Sequence, residues 1–251
     1  MEELPRVVIP SYERYLTIGN NTLRYLESIK YPREKILVFV SSEEQEKLYT
    51  DWLEPHQYGK IIVGELGLSN QRNFITKYLE QNEVFISFDD DVQKIKMLPG
   101  HTFYTMLEEA CKQIRDGITG LAGCMPNDDG RRFKHNYTLH LCHILGAFYI
   151  CKNDRAKQLA PIPGVSEGKE DYFRTIQYFL AFGNILRFQY AGVQTVYRNP
   201  EGGIGLTGRK DRDEIACQNL VSNYPTLCKR IYKKSGFPDI LLKWYSKKIK
   251  T

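Results

Sequence analysis

A chain of 251 residues suits one α/β domain with a substantial core and leaves little room for two enzyme-sized domains. A hydrophobic fraction of 42% and a charged fraction of 26% exclude a disordered or fibrous chain, and no apolar run approaches the roughly 20 residues that a membrane span needs. The net charge of +5 is modest, so its distribution along the chain says more than its total.

Residues 6 to 9 (RVVI) predict a short buried strand that stops at Pro10-Ser11. Asn20 or Asn21 can cap a helix carrying Leu23, Tyr25, Leu26 and Ile29. ILVFV (36–40) is a second strand, and the following Ser41-Ser42-Glu43-Glu44 opens the next helix. A third strand is expected over 60–63, a loop over 64–67 and a helix over 70–79. The fourth strand, VFISF (84–88), runs straight into Asp89-Asp90-Asp91. Strands that are apolar throughout and alternate with helices imply a mainly parallel sheet covered on both faces.

The second half is less regular. A helix is expected over about 102–115, strand-like stretches over 118–125 and 143–151, and a loop from Pro161 to Lys169. A further helix follows near 171–182, then a strand near 185–190 and a glycine-rich loop, NPEGGIGLTG, over 199–208. From Lys229 onward, Lys229, Arg230, Lys233, Lys234, Lys243, Lys247, Lys248 and Lys250 stand against Asp239, with Tyr232, Trp244 and Tyr245 interleaved. Such a segment suits a polyanion such as nucleic acid, and equally a solvated amphipathic helix closing the domain. The expected organisation is a domain over 1–228, with halves 1–98 and 99–228, and a basic helix or tail over 229–251.

The six cysteines are scattered, without a CxxC pair, which favours reduced thiols over a disulfide framework or a zinc site. The opening MEELPRVVIPSYE has no basic stretch leading into an apolar one, so a cytoplasmic location is expected.

In open α/β sheets, ligands sit beyond the carboxyl ends of the strands. Pro10-Ser11-Tyr12, Ser41-Ser42, Gly64–Gly67 and the three aspartates all fall there. Alternate aspartates at a strand end can converge on a hard cation, which takes one or two carboxylates and completes its shell with phosphate and water. Asp89 and Asp91 are therefore the candidate Mn²⁺ or Mg²⁺ ligands and Asp90 a positioning residue; an acidic turn is the plainer alternative. Gly67 leads into LSNQRN, where a helix N-terminus and Arg72 can meet a phosphate. Asp171 can act as a general base with Glu170 orienting the acceptor or the base, or the pair can simply offset a helix dipole. His135, His140 and His143 fit no standard zinc set with these cysteines, and a structural or acceptor-side role is expected of them.

Taken together, PSYER, the VFVSS strand end, GLSNQRN, FISFDDDV and GKEDY resemble a nucleotide-diphospho-sugar transferase of the GT-A fold, a Rossmann-like mixed, mainly parallel sheet. More narrowly, the chain resembles the TET/JBP-associated glycosyltransferases, relatives of the base J glucosyltransferase and of phage enzymes that glycosylate hydroxymethylated pyrimidines in DNA. The resemblance is strongest over 6–96 and resumes through LGAFYICKND, GKEDY and NPEGGIG.

It implies that Pro10, Tyr12, Arg14 and Ser41 line a uridine pocket, and that Gly67, Gln71 and Arg72 face the diphosphate or sugar. It also implies that Asp89, Asp90 and Asp91 serve nucleotide and cation, that Asp171 is an inverting base, and that a loop around Gly203 closes over the site. The implied donor is a UDP-sugar carrying glucose or a pentose such as arabinose. The implied acceptor is hydroxymethylated DNA, in a host cytoplasm if the chain is phage-encoded. A glycan, lipid or protein acceptor, and an inactive DNA-binding module, are the alternatives. No histidine follows His143, a departure from GT-A enzymes that supply a late histidine to the metal.

Overall fold

The computed structural model describes residues 3–157, 168–196 and 208–243. Four apolar strands, β1 (Arg6–Pro10), β2 (Ile36–Val40), β3 (Lys60–Val63) and β4 (Val84–Phe88), pair in parallel in the order β3-β2-β1-β4. Their side chains alternate between two cores. Val7, Ile9, Val38 and Phe88 enter one, while Val8, Leu37, Phe39 and Phe85 enter the other, which is why no position in β2 is polar.

Three helices cover the first core: α1 (Thr22–Ser28), α2 (Glu43–Trp52) and α4 (Phe103–Arg115), through Leu23, Leu26, Tyr49, Met106 and Ile114 among others. The second core is covered by α3 (Leu68–Tyr78), α5 (Glu170–Phe182) and α6 (Arg209–Asn223), through Ile75, Phe173, Ile176 and Leu220. Ser42 caps α2 by accepting the Gln45 N–H at 3.3 Å, and Thr102 and Thr105 form a reciprocal box at the start of α4.

Beyond β4 the sheet becomes mixed. β8 (Phe148–Lys152) runs antiparallel to β4 and to β6 (Leu121–Met125), and the ten-residue β9 (Leu186–Thr195) runs parallel to β6. The far edge is β5 (Val92–Met97), antiparallel to β9, with β7 (Tyr137–Leu139) pairing β9 as well. The result is a nine-stranded mixed sheet with helices on both faces.

Three elements lie where the sequence predicts none: β5, β7 and α6. Two more, β10 (Cys228–Tyr232) and β11 (Pro238–Leu242), stand where a basic helix or tail was expected from residue 229. Over 229–243 the chain turns back at Lys233–Gly236 and forms an antiparallel hairpin packed on α6. The pattern that hid it is the run of lysines on its exposed face; Cys228, Asp239 and Ile240 supply the buried one. All six cysteines are buried and unbridged. Among the described residues, no helix is long and apolar enough to cross a membrane. Residues 161–167, 199–207 and 244–251, with the expected closing loop at Gly203, lie outside the described residues.

Candidate active site

The three aspartates follow β4, and the turn they form is fixed from α1. Thr22 Oγ1 donates to the Asp89 carbonyl at 2.6 Å and accepts the Val92 N–H at 3.0 Å. This gives the aspartates different surroundings. Asp90 points inward: Ser11 Oγ donates to its Oδ2 at 2.5 Å and Arg14 Nη1 to its Oδ1 at 2.7 Å. Tyr49 completes this lock, its hydroxyl 2.6 Å from Ser11 Oγ and accepting the Arg14 N–H at 3.0 Å. Burial pushes the Asp90 carboxyl up, with Arg14 and Ser11 opposing.

Asp89 and Asp91 lie on the more open side, their side chains 33% and 22% exposed. Arg72 Nη2 reaches Asp89 Oδ1 at 3.0 Å, and Arg14 Nη1 reaches Asp91 Oδ2 at 3.2 Å. Desolvation, then the neighbouring Asp89 and Asp90 charges, push the Asp91 carboxyl up to about 7 against the pull of Arg14. Burial and crowding in the turn thus disfavour the charged form of Asp91.

The loop before α3 departs from expectation in what its side chains hold. Gly67 sits at φ 91°, a conformation that favours glycine, and places the first turn of α3. Gln71 is 4% exposed. Its Nε2 donates to the Val40 carbonyl at 2.9 Å and its Oε1 accepts the Glu65 N–H at 2.7 Å, so its amide straps the β3–α3 loop to the end of β2. Arg72, also 4% exposed, is drawn inward by carboxylates and a hydroxyl instead of standing open to a diphosphate. Its Nη1 donates to Tyr149 Oη at 2.9 Å; its Nη2 lies 3.0 Å from Asp89 Oδ1, 3.3 Å from the Gly146 carbonyl and 3.4 Å from Glu170 Oε1.

Glu170 is held from two sides, by Arg72 and by Arg174 one turn along α5, whose guanidinium lies over the Tyr149 ring at 4.0 Å. Arg72 therefore joins the strand-end turn to the first turn of α5. A Cβ at Gly146 would fall 2.9 Å from Glu170 Oε1 and 3.3 Å from Arg72 Nη2, so any larger residue there would push the ends of the bridge aside.

Asp171 has a different partner. His143 Nε2 lies 2.8 Å from its Oδ2, and the Tyr172 N–H donates to its Oδ1 at 2.9 Å. The His143 ring stacks on Tyr172 with centroids 3.9 Å apart and planes within 3°. Burial would raise the Asp171 carboxyl, but the His143 imidazole, with Arg174 and Lys169, holds it well below the usual carboxylate range. His143 is thus assigned to Asp171 by the fold, 28 residues away in sequence, where its spacing gave no sign of it.

The remaining expected residues occupy the same strand ends. Pro10 closes β1 opposite Phe39, Tyr12 lies in the turn after it, and Ser41 follows β2 beside the Ser42 cap. The structure brings together Ser11, Arg14, Asp90 and Asp91 in one network, and Asp89, Arg72 and Glu170 in another. Tyr49, Thr22, Tyr149 and Arg174 are the members that the sequence reading missed; Ser11 was placed only as part of a strand end, and His143 only in a structural or acceptor-side role without a partner. Among the described residues, no group of three or more His, Cys, Asp or Glu side chains is arranged to hold a metal. Asp89 and Asp91 nevertheless each present carboxylate oxygen on the more open side of the turn, the donor type a hard cation takes.

No protein-family profile and no curated protein sequence matches the chain. Solved structures do. The mannosyltransferase PcManGT from Pyrobaculum calidifontis, in complex with GDP-Man and Mn²⁺, is 17% identical with a TM-score of 0.58, over 89% of this chain and 64% of that one. GalNAc-T7 with UDP, GalNAc and Mn²⁺ is 12% identical with a TM-score of 0.56, over 87% of this chain and 48% of that one. Glucosyl-3-phosphoglycerate synthase from Mycobacterium tuberculosis, with Mn²⁺, UDP-Glc and phosphoglyceric acid, is 13% identical with a TM-score of 0.54, over 96% of this chain and 87% of that one. The fold is GT-A. At these identities the likeness is one of fold, and the chain spans about two thirds of PcManGT and half of GalNAc-T7. Within the GT-A frame, β1, β2 and β4 present Ser11–Arg14, Ser41 and Asp89–Asp91 at one edge of the sheet, and Arg72 ties that edge to α5.

Proposed function

We propose that the chain is a glycosyltransferase that moves a sugar from a UDP-sugar, with Mn²⁺ or Mg²⁺, to the hydroxyl of a 5-hydroxymethylpyrimidine in DNA, with inversion at the anomeric carbon. The observation that carries the transferase reading is the Arg72 bridge. It brings a strand-end carboxylate suited to a cation and nucleotide, Asp89, into one site with the α5 carboxylates suited to an acceptor. The ligands named for the solved structures of the same fold, nucleotides or nucleotide sugars with Mn²⁺, agree with that division.

In this mechanism Asp89 and Asp91 would hold the cation, which when bound supplies charge stabilisation to the departing diphosphate. Asp90, locked by Ser11 and Arg14, keeps the turn that presents its two neighbours. Arg72 orients Asp89 and Glu170 and carries positive charge to the seam between donor and acceptor. The acceptor hydroxyl loses its proton at the Asp171–His143 pair as its oxygen attacks the sugar.

Two features support a DNA acceptor: the resemblance in sequence, and the basic exposed face of β10–β11, with Lys229, Lys234 and the 57% exposed ring of Tyr232. A 5-substituent of a pyrimidine lies in the major groove of duplex DNA. Reaching it in a cleft requires single-stranded substrate or a flipped nucleotide, the latter at about a few kcal/mol.

The test is incubation with UDP-glucose or UDP-arabinose, Mn²⁺ and DNA containing 5-hydroxymethylcytosine or 5-hydroxymethyluracil, followed by nucleoside mass spectrometry. A mass gain of one hexose or pentose residue is expected. Donor hydrolysis with no gain on any modified DNA removes the DNA acceptor and leaves the transferase, with glycan, lipid or protein hydroxyls next to be tried. DNA binding without donor binding or turnover overturns the enzyme and favours a binding module.

A further inference from the structure

His143 touches Asp171, and its contacts define what it can do. Resting on the transferase reading above, we propose that His143 is the proton acceptor of the reaction and Asp171 its orienting partner, a His–Asp dyad in which Nδ1 of the imidazole meets the acceptor hydroxyl.

Both oxygens of Asp171 are engaged, Oδ2 by His143 Nε2 at 2.8 Å and Oδ1 by the Tyr172 N–H at 2.9 Å. An ionised carboxylate only accepts hydrogen bonds, so Nε2 carries the proton and the lone pair of the neutral ring lies on Nδ1. No described residue donates to Nδ1, and the side chain is 16% exposed, so it is neither sealed nor loose. Stacking on Tyr172 at 3.9 Å fixes the ring plane, and Tyr172 follows Asp171 directly in α5, so ring and carboxylate share one rigid support.

The charged surroundings favour this division of labour. Lys169 just before α5 and Arg174 within it both act on Asp171, Glu170 is taken up by Arg72 and Arg174, and Asp239 of β11 faces the Tyr172 hydroxyl and Lys169. With both its oxygens already accepting hydrogen bonds, Asp171 is placed to orient, and an imidazole backed by it is stabilised once protonated. The step balances as follows. The acceptor O–H bond breaks and its proton moves to Nδ1. The hydroxyl oxygen forms a bond to the anomeric carbon, and the bond from that carbon to the diphosphate oxygen breaks, its electron pair leaving on UDP. The imidazolium returns its proton to solvent when the product departs.

The experiment compares wild type, His143→Ala, His143→Gln and Asp171→Asn with UDP-glucose and Mn²⁺. Hydrolysis to water and transfer to hydroxymethylated DNA are read separately, with UDP binding and circular dichroism recorded for each variant. His143→Ala is expected to keep UDP binding and lose turnover by about 10²–10⁴-fold. Added imidazole should restore part of that loss, and the rising limb of the wild-type pH profile should disappear in the variant and return with imidazole. His143→Gln retains a donor for Asp171 yet cannot take the proton, so it should stay as inactive as the alanine variant. Recovery in His143→Gln would show a merely structural contact and overturn the dyad, as would a folded His143→Ala whose turnover and pH profile match wild type. Wild type that neither binds UDP nor turns over a UDP-sugar would remove the transferase reading, and the dyad with it. Turnover in wild type with no imidazole rescue and an unchanged pH limb would remove the dyad alone.

Discussion

Asp90 and Asp171 are both aspartates with each carboxylate oxygen engaged, yet their environments act on them in opposite directions. Asp90 sits in a strand-end turn, with Ser11 and Arg14 brought to it by the neighbouring parallel strand, and burial raises its carboxyl. Asp171 starts a helix from the other half of the sheet and meets a histidine from the segment before β8; that histidine and nearby cations lower its carboxyl. The first arrangement fixes a turn. The second leaves a polarised pair with an open nitrogen. Residue type alone did not separate the two roles; the partners did.

Arg72 is where these regions meet, and its removal should break the comparison most severely. Arg72→Met leaves Asp89 and Glu170 without their shared cation in a buried seam, so a loss of about 3–5 kcal/mol is expected in urea denaturation. Sugar transfer should fall with it. Arg72→Lys restores charge without the fork and should recover only part of both. A methionine variant as stable as wild type would mean that the two regions are not coupled through this side chain.

Within the turn, Asp90 and Asp91 should separate structure from ligand binding. Asp90→Ala removes the buried acceptor that Ser11 and Arg14 share and is expected to cost about 1–3 kcal/mol of stability. Asp91→Ala relieves crowded negative charge, so its stability should stay close to wild type while Mn²⁺-dependent UDP binding disappears from calorimetric titrations. Equal loss of UDP binding at matched stability in both variants would refute the division.

The sequence made the strand-end region readable because its signals are local. Each of β1 to β4 is a short apolar run closed by a polar or glycine break, and the aspartates stand at such a break. Its lock was not readable, since Ser11 and Tyr49 acquire meaning only when β1 lies beside α2 and β4. The other region shows the reverse balance. α5 was evident from its apolar periodicity, but β5 is a half-polar edge strand, with Gln93 and Lys94 exposed, and reads as loop. α6 buries only Asp213, Ala216, Cys217 and Leu220 along fifteen residues, too few to mark a helix by pattern. His143 was legible only as one of three histidines with a structural or acceptor-side role; its pairing with Asp171 was not, since that partner lies across a segment whose path the sequence does not give.

A pH series sharpens the contrast on the Asp171 side. The carboxyl is lowered in the folded state relative to about 3.9 in an unfolded chain, so its contribution is fully present above that value and lost as pH falls through the folded one. Asp171→Asn should therefore cost about 1 kcal/mol at neutral pH, the size of a net hydrogen bond, with the difference shrinking toward zero in strong acid. A stability difference between wild type and variant that does not change with pH would show that the fold does not favour the ionised form of Asp171.

The smallest effect is expected at the C-terminal hairpin, where the question is affinity and not stability. Arg230 is paired with Glu214, and Lys233 with Asp239 at 3.0 Å, so replacing either would disturb the hairpin itself. Lys229 and Lys234 are exposed and have no acidic partner among the described residues, so their charges are available to a phosphate. Lys229→Ala and Lys234→Ala should change stability by no more than about 0.5 kcal/mol. If each lysine contacts one phosphate, each replacement should lower the slope of log affinity against log salt by about 1, uniformly across DNA sequences. An unchanged slope in the double variant would detach this face from DNA while leaving the Asp89–Arg72–Glu170 bridge, and the transferase reading built on it, where they stand.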